Sequence, residues 1–276
     1  MQNASSIPRY EIFELSFQHN ADYKNPFFDL RIEVTFESPS GRKVKIGGFF
    51  YGSSERPQIR IKHRAKVKRA RYIYKRLDLW KARFSPDELG LWRYRYRLTN
   101  IRGQKAEGRG SFRCVLGPRL RHGPVRRHPK NPFRWIFQEG TPFFPVGLQE
   151  GWGHWSCTGT CLDTKSLEGP FRTDLPNPPK LPAGSVFVGG PSYDPLNADI
   201  YCRRYRDAGF NLYRFSQRNN TFDLYKDLNH YLIHEAVMTD EILSCLRRYG
   251  FTIFYGLFGF RKAHILSPTT GKPWKK

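Results

Sequence analysis

Acidic side chains are scarce in this 276-residue chain: 24 Asp and Glu stand against 47 Lys and Arg, for a formal net charge of +23. Such a balance disfavours cationic partners and favours anionic ones: nucleic acid, acidic glycans or an anionic surface. Long apolar runs are missing as well. Nothing approaches the ~18 apolar residues of a membrane span. The five cysteines (Cys114, Cys157, Cys161, Cys202 and Cys245) are odd in number and scattered, which excludes a disulfide framework. His154, Cys157 and Cys161 cluster, but no fourth ligand stands at zinc-like spacing, so no metal is expected. A small disulfide and two plain loop thiols remain as readings of Cys157 and Cys161. Gly-x-Ser-x-Gly elbows, His-Glu-x-x-His helices and Gly-rich phosphate loops between strand and helix are absent, and Gly189-Gly190-Pro191 reads as a turn. No cofactor is expected.

What is present begins with apolar content. Hydrophobic residues make up 39% and aromatics 16% of the chain, enough to form a packed core and too much for global disorder. Phe13, Leu15 and Phe17 share one side of a first strand. Phe28, Leu30, Ile32, Val34 and Phe36 alternate with Asp29, Arg31, Glu33 and Thr35, the period of a strand with one buried face. Ser38-Pro39-Ser40-Gly41 is a turn, and Val44 to Tyr51 returns as the next strand. Leu79 to Phe84 sets Trp80, Ala82 and Phe84 against Lys81 and Arg83. Ser85 to Gly90 turns, and Leu91 to Leu98 sets Trp92, Tyr94, Tyr96 and Leu98 against Arg93, Arg95 and Arg97. Gly103 to Gly110 reads as another turn, and Ser111 to Val115 as a last strand. Roughly seven short strands at regular spacing predict a β-sandwich of immunoglobulin type. The strict alternation turns Trp80, Trp92, Tyr94 and Tyr96 toward a buried face rather than into a sugar-stacking platform.

The basic excess is uneven. Residues 1–122 hold 27 Lys and Arg against 11 Asp and Glu, a balance of +16. Residues 56–76 alone contain ten basic residues and no acid. There Arg60, Lys62, Arg64, Lys66 and Lys68 alternate with Ile61, His63, Ala65 and Val67, which predicts one strand with a cationic face. That face is a candidate polyanion-binding strip; a solvated face in a generally basic protein is the plainer alternative.

Leu116 to Pro132 is a Pro- and Arg-rich linker, which sets an expected boundary at residues 122 and 123. Beyond it, Gln138 to Thr141 has turn chemistry, and Phe143 to Gly147 reads as a short apolar strand ending in glycine. A long stretch from Gln149 to about Asn197 is rich in Gly, Pro and Trp, longer than loops usually run in a compact domain. Ala198 to Ala208 then reads as a helix with Gly209 as its cap, followed by a strand over Phe210 to Phe215. His230 to Tyr249 has a helical pattern, with Leu232, Ala236, Ile242, Leu243 and Leu246 as inward positions. Gly250 caps it and Phe251 to Phe258 is a buried strand.

Three stretches carry a family resemblance. Trp80 to Tyr94 (WKARFSPDELGLWRY), Gly140 to Gly147 (GTPFFPVG) and Asp207 to Ser216 (DAGFNLYRFS) resemble bacterial (β/α)8-barrel glycoside hydrolases, clan A-like. The resemblance is to members that carry an N-terminal immunoglobulin-like domain of unknown function. It implies an all-β immunoglobulin-like sandwich over residues 1–122, followed by α/β structure over 123–276. That second part would be an incomplete (β/α)8 barrel of about three strands. A whole barrel takes about 250 residues, so the resemblance also implies that the chain is truncated within it. Hydrolysis of a glycosidic bond needs two carboxyl groups astride it. In the resembling clan these are glutamates after the fourth and seventh strands, so no catalytic residue is expected here. The resemblance implies a substrate-binding rim of Gln149, Glu150, Trp152, Arg214, Ser216, Gln217 and Asn219. Arg214 would orient a nucleophilic carboxylate, and Trp152 would offer a stacking face. It also implies export, whereas Met1 to Pro8 lacks the charged and apolar regions of a signal peptide.

Two functions follow as expectations. The first is the N-terminal portion of a glycoside hydrolase acting on polysaccharide, an acidic polymer included, inactive without its catalytic pair. The second is a non-catalytic polyanion-binding protein that grips acidic glycan or nucleic acid with its basic sandwich. Open barrel edges would in addition favour self-association.

Overall fold

In a computed structural model, the residues described are 1–19, 23–54, 58–64, 67–73, 75, 77–117, 122–149, 202–203, 205–216, 225–227, 230–231 and 233–256. The contacts divide the chain into two compact units, residues 1–53 with 76–144 and residues 54–75 with 145–276.

The first unit opens with β1 (Ser6–Pro8), β2 (Phe13–Gln18), β3 (Leu30–Glu37), β4 (Lys43–Gly47) and β5 (Phe49–Phe50). After the segment carrying β6 (Gln58–Arg64) and β7 (Val67–Ile73), it continues with β8 (Leu79–Phe84), β9 (Gly90–Asn100) and β10 (Lys105–Val115). Five strands form one sheet in the order β1-β10-β9-β3-β4, and three form another in the order β2-β8-β5. The inward sides of the two sheets meet through aromatic rings. Phe13 of β2 stacks on Phe112 of β10 at 3.9 Å, and Phe84 of β8 stacks on Phe36 of β3 at 4.2 Å. Period-two alternation makes this core: β3 runs buried-exposed from Leu30, and Trp80, Trp92, Phe13 and Phe36 are all but sealed from solvent. Burying each such ring contributes on the order of 1.5–3 kcal/mol, and each ring pair about 0.5–1.5 more. Both indoles are satisfied, Trp80 donating to Pro26 O at 3.1 Å and Trp92 to Glu88 O at 2.8 Å.

Two turns named in the sequence touch. Ser40 Oγ donates to Glu88 at 2.8 Å, Arg42 pairs with Asp87, and a Cβ at Gly90 would lie 2.8 Å from Pro39. Gly90 also has φ +124°, a conformation that L side chains rarely adopt.

Several elements differ from expectation. Phe28 is exposed and precedes β3 instead of joining it. The expected turn over Gly103 to Gly110 shortens to the residues before Lys105, because β10 starts there. Its glycines make room for rings: a Cβ on Gly108 would meet the Tyr96 hydroxyl at 2.3 Å, and one on Gly110 the Tyr94 hydroxyl at 2.4 Å. Glycine inside a strand marks such a close approach as readily as a turn. Lys81, expected opposite the buried face, is only 2% exposed and pairs with Glu14 at 2.7 Å.

The linker contains β11 (Val125–Arg127), which pairs with β12 (Trp135–Phe137), itself paired with β13 (Pro142–Phe143). Glu139 fastens this meander, meeting the His122 ring and accepting the Gly123 N–H at 3.1 Å, while His122 stacks on Phe137 at 4.2 Å.

In the second unit, β14 (Gly147–Gln149), β15 (Leu212–Ser216) and β18 (Thr252–Gly256) form a parallel sheet in that order. Between β15 and β18 lie the short pair β16 (Tyr225–Asp227) and β17 (His230–Tyr231) and the helix Ile233–Arg248. Gly147 thus begins a strand where the sequence suggested an end. Pro145 has no N–H to give, Val146 N–H is bound by the Asn211 side chain, and Leu212 crowds Gly147. Both strand entries use one device. Gly209 N–H bonds to Arg206 O and Phe210 N–H to Tyr205 O; Gly250 N–H bonds to Arg247 O and Phe251 N–H to Leu246 O. These are Schellman caps with glycine at positive φ, 88° and 77°. On the helix, Val237, Ile242, Cys245 and Leu246 are buried, whereas Ala236, an expected inward position, is exposed.

Candidate functional site

The parallel sheet sets the expected sugar-binding rim. Its register aligns Gln149 with Arg214 and Arg214 with Phe254, one residue from each strand. Arg214 is the third residue of the five in β15 rather than its last, and it is exposed. Its guanidinium lies over the Phe254 ring, 5.5 Å from the centroid. A cation–π contact of this kind is worth about 0.5–1 kcal/mol at an exposed site. Ser216 pairs with Gly256 two positions further along. Glu150, Trp152, Gln217 and Asn219 lie outside the described residues, as do His154, Cys157 and Cys161. Among the described residues, no group of three or more His, Cys, Asp or Glu is placed to hold a metal.

Asn211 organises the entry to this row. Its side-chain oxygen accepts the Val146 N–H at 2.8 Å, its N–H donates to Val146 O at 2.9 Å, and its carbonyl accepts the Thr252 N–H at 2.8 Å. One residue therefore ties the starts of all three parallel strands.

The expected cationic strip takes another form. The run folds as a hairpin, with β6 and β7 antiparallel and Arg64 opposite Val67. Arg60, Lys62 and Arg64 keep one face of β6 by period. Lys68 stands opposite His63 and not opposite any of those three, because β7 runs antiparallel to β6. Arg71 and Arg69 stand opposite Arg60 and Lys62 instead. Lys66 is outside the described residues.

A second basic surface escaped the reading of single strands. On the outward side of the five-stranded sheet, register brings Lys45 beside Thr35, Thr35 beside Arg95, and Arg95 beside Arg109. The three cations are exposed and come from three different strands. Alternation in each strand shows which side chains face outward; only the pairing shows that they share a row.

Among the described residues, Cys114 is buried on β10. Burial pushes the Cys114 thiol up to about 11, well away from the thiolate a nucleophile requires. Cys202 and Cys245 are likewise buried.

The arrangement is that of a β-rich chain whose second unit carries a parallel sheet with a helix crossover. Residues 6–99 match the family described as Domain of unknown function (DUF5060). The chain is similar in fold to the crystal structure of a candidate glycoside hydrolase from Bacteroides vulgatus ATCC 8482. That similarity has a TM-score of 0.56 at 17% identity and covers 91% of this chain and 41% of that one. The chain therefore spans well under half of that structure. A family 39 glycoside hydrolase from Bacteroides cellulosilyticus WH2 aligns over 99% of this chain and 37% of its own, with 11% identity and a TM-score of 0.23. No curated protein matches the sequence. No described helix is long and apolar enough to cross a membrane.

Proposed function

We propose that this chain is the N-terminal portion of a glycoside hydrolase that acts on polysaccharide. In this reading residues 1–122 are an immunoglobulin-like module and residues 123–276 open a (β/α)8 barrel. The observation that carries it is the parallel order β14-β15-β18, entered through two matching Gly-Phe caps. A repeated helix–strand unit feeding a parallel sheet is the element from which such barrels are built. The fold similarity to a candidate glycoside hydrolase supports the same reading.

In a barrel, ligand-binding groups gather where the strands end. Arg214 and Gln149, aligned near those ends, would hold a sugar hydroxyl or carboxylate; Glu150 and Trp152 follow Gln149 in sequence, and Ser216, Gln217 and Asn219 follow Arg214. No residue described here is assigned as a catalytic acid or nucleophile. The 276-residue chain is expected to bind glycan without cleaving it. The sheet edges at β14 and β18, unpaired among the described residues, would favour self-association, as unpaired strand edges do.

The test is affinity electrophoresis of the chain through gels containing neutral and acidic polysaccharides, with a reducing-sugar assay alongside. Retardation by at least one polysaccharide, lost in Arg214→Ala and unaccompanied by new reducing ends, is the expected result. Passage through every gel without retardation would overturn the proposal.

A further inference from the structure

The outward face of the five-stranded sheet presents a row of cations with no acid in it. Reading across the strands at one level gives Lys45, Thr35, Arg95 and Arg109. One level away the row is Gly47, Glu33, Arg97 and Glu107, where Arg97 pairs with Glu107 at 2.6 Å and Glu33 with Arg31 of the next level at 2.6 Å. On the other side the row is Lys43, Glu37, Arg93 and Ser111, again basic on balance. Arg113 follows on β10, also exposed. The acids of this face therefore sit to either side of the central row and leave it uncompensated.

Like charges placed directly opposite destabilise a sheet. Arg95 and Arg109 are such a pair, on adjacent antiparallel strands. A bound anion would offset that repulsion. Strands lie about 4.8 Å apart, so the row from Lys45 to Arg109 extends roughly 14 Å across the sheet, with the Thr35 hydroxyl between cations. Its length suits a linear polymer with repeated negative charges lying across the strands.

We propose that this row is a docking strip for an acidic polysaccharide, with Arg95 and Arg109 gripping successive carboxylate or sulfate groups and Lys45 a third. The proposal rests on the polysaccharide reading above and deepens it by naming the charge of the polymer. The planar guanidinium fork matches carboxylate and sulfate in two-point contact. Single-stranded nucleic acid calls for exposed aromatic platforms among the cations. The aromatics of these strands, Phe36, Trp92, Tyr94 and Phe112, are instead buried in the core. The strip lies on strands distinct from the Gln149–Arg214 row, so it would capture polymer independently of that site.

The test compares three proteins, the intact chain, Arg95→Ser/Arg109→Ser and the charge-matched control Arg126→Ser/Arg127→Ser, whose sites are also exposed. Each is titrated with polygalacturonate, with a neutral β-glucan and with a single-stranded oligonucleotide at low salt, and thermal melting checks that each variant folds. The expected result is that the first pair of substitutions weakens polygalacturonate binding by about three- to tenfold, as two exposed charge contacts would. The control should change it much less, and binding of neutral glucan should not change. Equal losses in both variants would mean diffuse attraction and overturn the strip. Oligonucleotide binding tighter than polygalacturonate, with the same sensitivity, would overturn the choice of polymer. Neutral glucan bound with no response to acidic polymer would remove the strip and leave the polysaccharide reading standing. Binding of no glycan at all would overturn both.

Discussion

Asn211 accepts the backbone N–H of Val146 through its side-chain oxygen at 2.8 Å, and so joins the entrances of two parallel strands 65 positions apart. The same residue receives the Thr252 N–H on its carbonyl. Replacing its side chain by Ala leaves the Val146 N–H without that acceptor. Asn211→Ala is expected to destabilise the second unit by about 0.5–1.5 kcal/mol, the net worth of one hydrogen bond that water can partly replace. Asn211→Asp keeps the acceptor and should avoid most of that loss. Chemical denaturation followed by the fluorescence of the full chain would measure both; equal loss in the two variants would show that the side-chain oxygen is not what matters.

A second polar device lies in the first unit. Lys81 is almost sealed from water, its ammonium 2.7 Å from Glu14, which also meets Arg83 at 2.7 Å. Lys81 further lies 4.1 Å from the Tyr51 ring centroid. Removing one partner of a buried pair strands the other charge and typically costs about 3–5 kcal/mol. Glu14→Ala should approach the lower end of that range, because Glu14 itself keeps some exposure. The double variant Glu14→Leu/Lys81→Met should recover much of the loss, since a packed apolar pair escapes desolvation. A double variant no more stable than Glu14→Ala would count against this account.

Gly108 and Gly110 should tolerate no side chain while Tyr96 and Tyr94 hold their places. Tyr94 is pinned by a 2.9 Å hydrogen bond to Gln2, so its ring cannot simply swing aside. Gly110→Ala is expected to cost about 1–3 kcal/mol as overpacking. Gly41→Ala, where nothing lies within 4 Å, should act through its positive φ of 85° alone and cost about 1 kcal/mol or a little more. Thermal melts of the two variants should rank Gly110→Ala as the more harmful; the reverse order would refute the ring contact as its cause.

Those same residues show why part of the fold was legible in the sequence. Strands β3, β8 and β9 could be read because one face of each is buried, which imprints period two on Leu30 to Phe36, Trp80 to Phe84 and Trp92 to Tyr96. Gly108 and Gly110 were misread because glycine serves both turns and close ring contacts, and the deciding tyrosines lie on another strand. Lys81 looked solvent-facing because its partner Glu14 is 67 positions away. The basic run over Arg60 to Lys68 looked like one strand because its composition does not change between β6 and β7, which pair antiparallel. For the candidate site, the motif of Arg214 was legible as a strand, and Arg214 lies in β15. The row of Lys45, Arg95 and Arg109 was not, since it exists only through strand register, which no local pattern encodes.

Cys114 offers a chemical check on the sandwich core. Burial raises its thiol to about 11, outweighing the opposing influence of Arg9. Little thiolate is present near neutral pH, and the side chain is only 2% exposed. Alkylation by iodoacetamide at neutral pH, read by peptide-resolved mass spectrometry, should leave Cys114 unmodified in the native chain and modify it fully in denaturant. Rapid native labelling would mean that β10 opens or that the core is looser than described.

Acid should loosen the meander around His122. Burial by itself would raise the Glu139 carboxyl, but hydrogen bonds from His122, from its own backbone and from Gly123 outweigh it, together with the His122 charge, and hold the group below its ordinary 4.5. A carboxyl depressed in the folded state binds its proton less readily than in the unfolded chain. Its contribution to stability is therefore complete above the unfolded value and is lost as pH falls through the lower, folded one. The loss should begin near pH 4.5 and deepen below it, a window in which other carboxylates also titrate. Glu139→Gln isolates the effect by removing the titrating group while keeping its shape. Melting temperatures from about pH 5.5 down to about pH 3 should fall more steeply for the unsubstituted chain than for Glu139→Gln, and the two curves should converge at the acid end. Parallel curves across that range would show that Glu139 carries no pH-linked stability, and that the His122 contact does not hold its carboxylate.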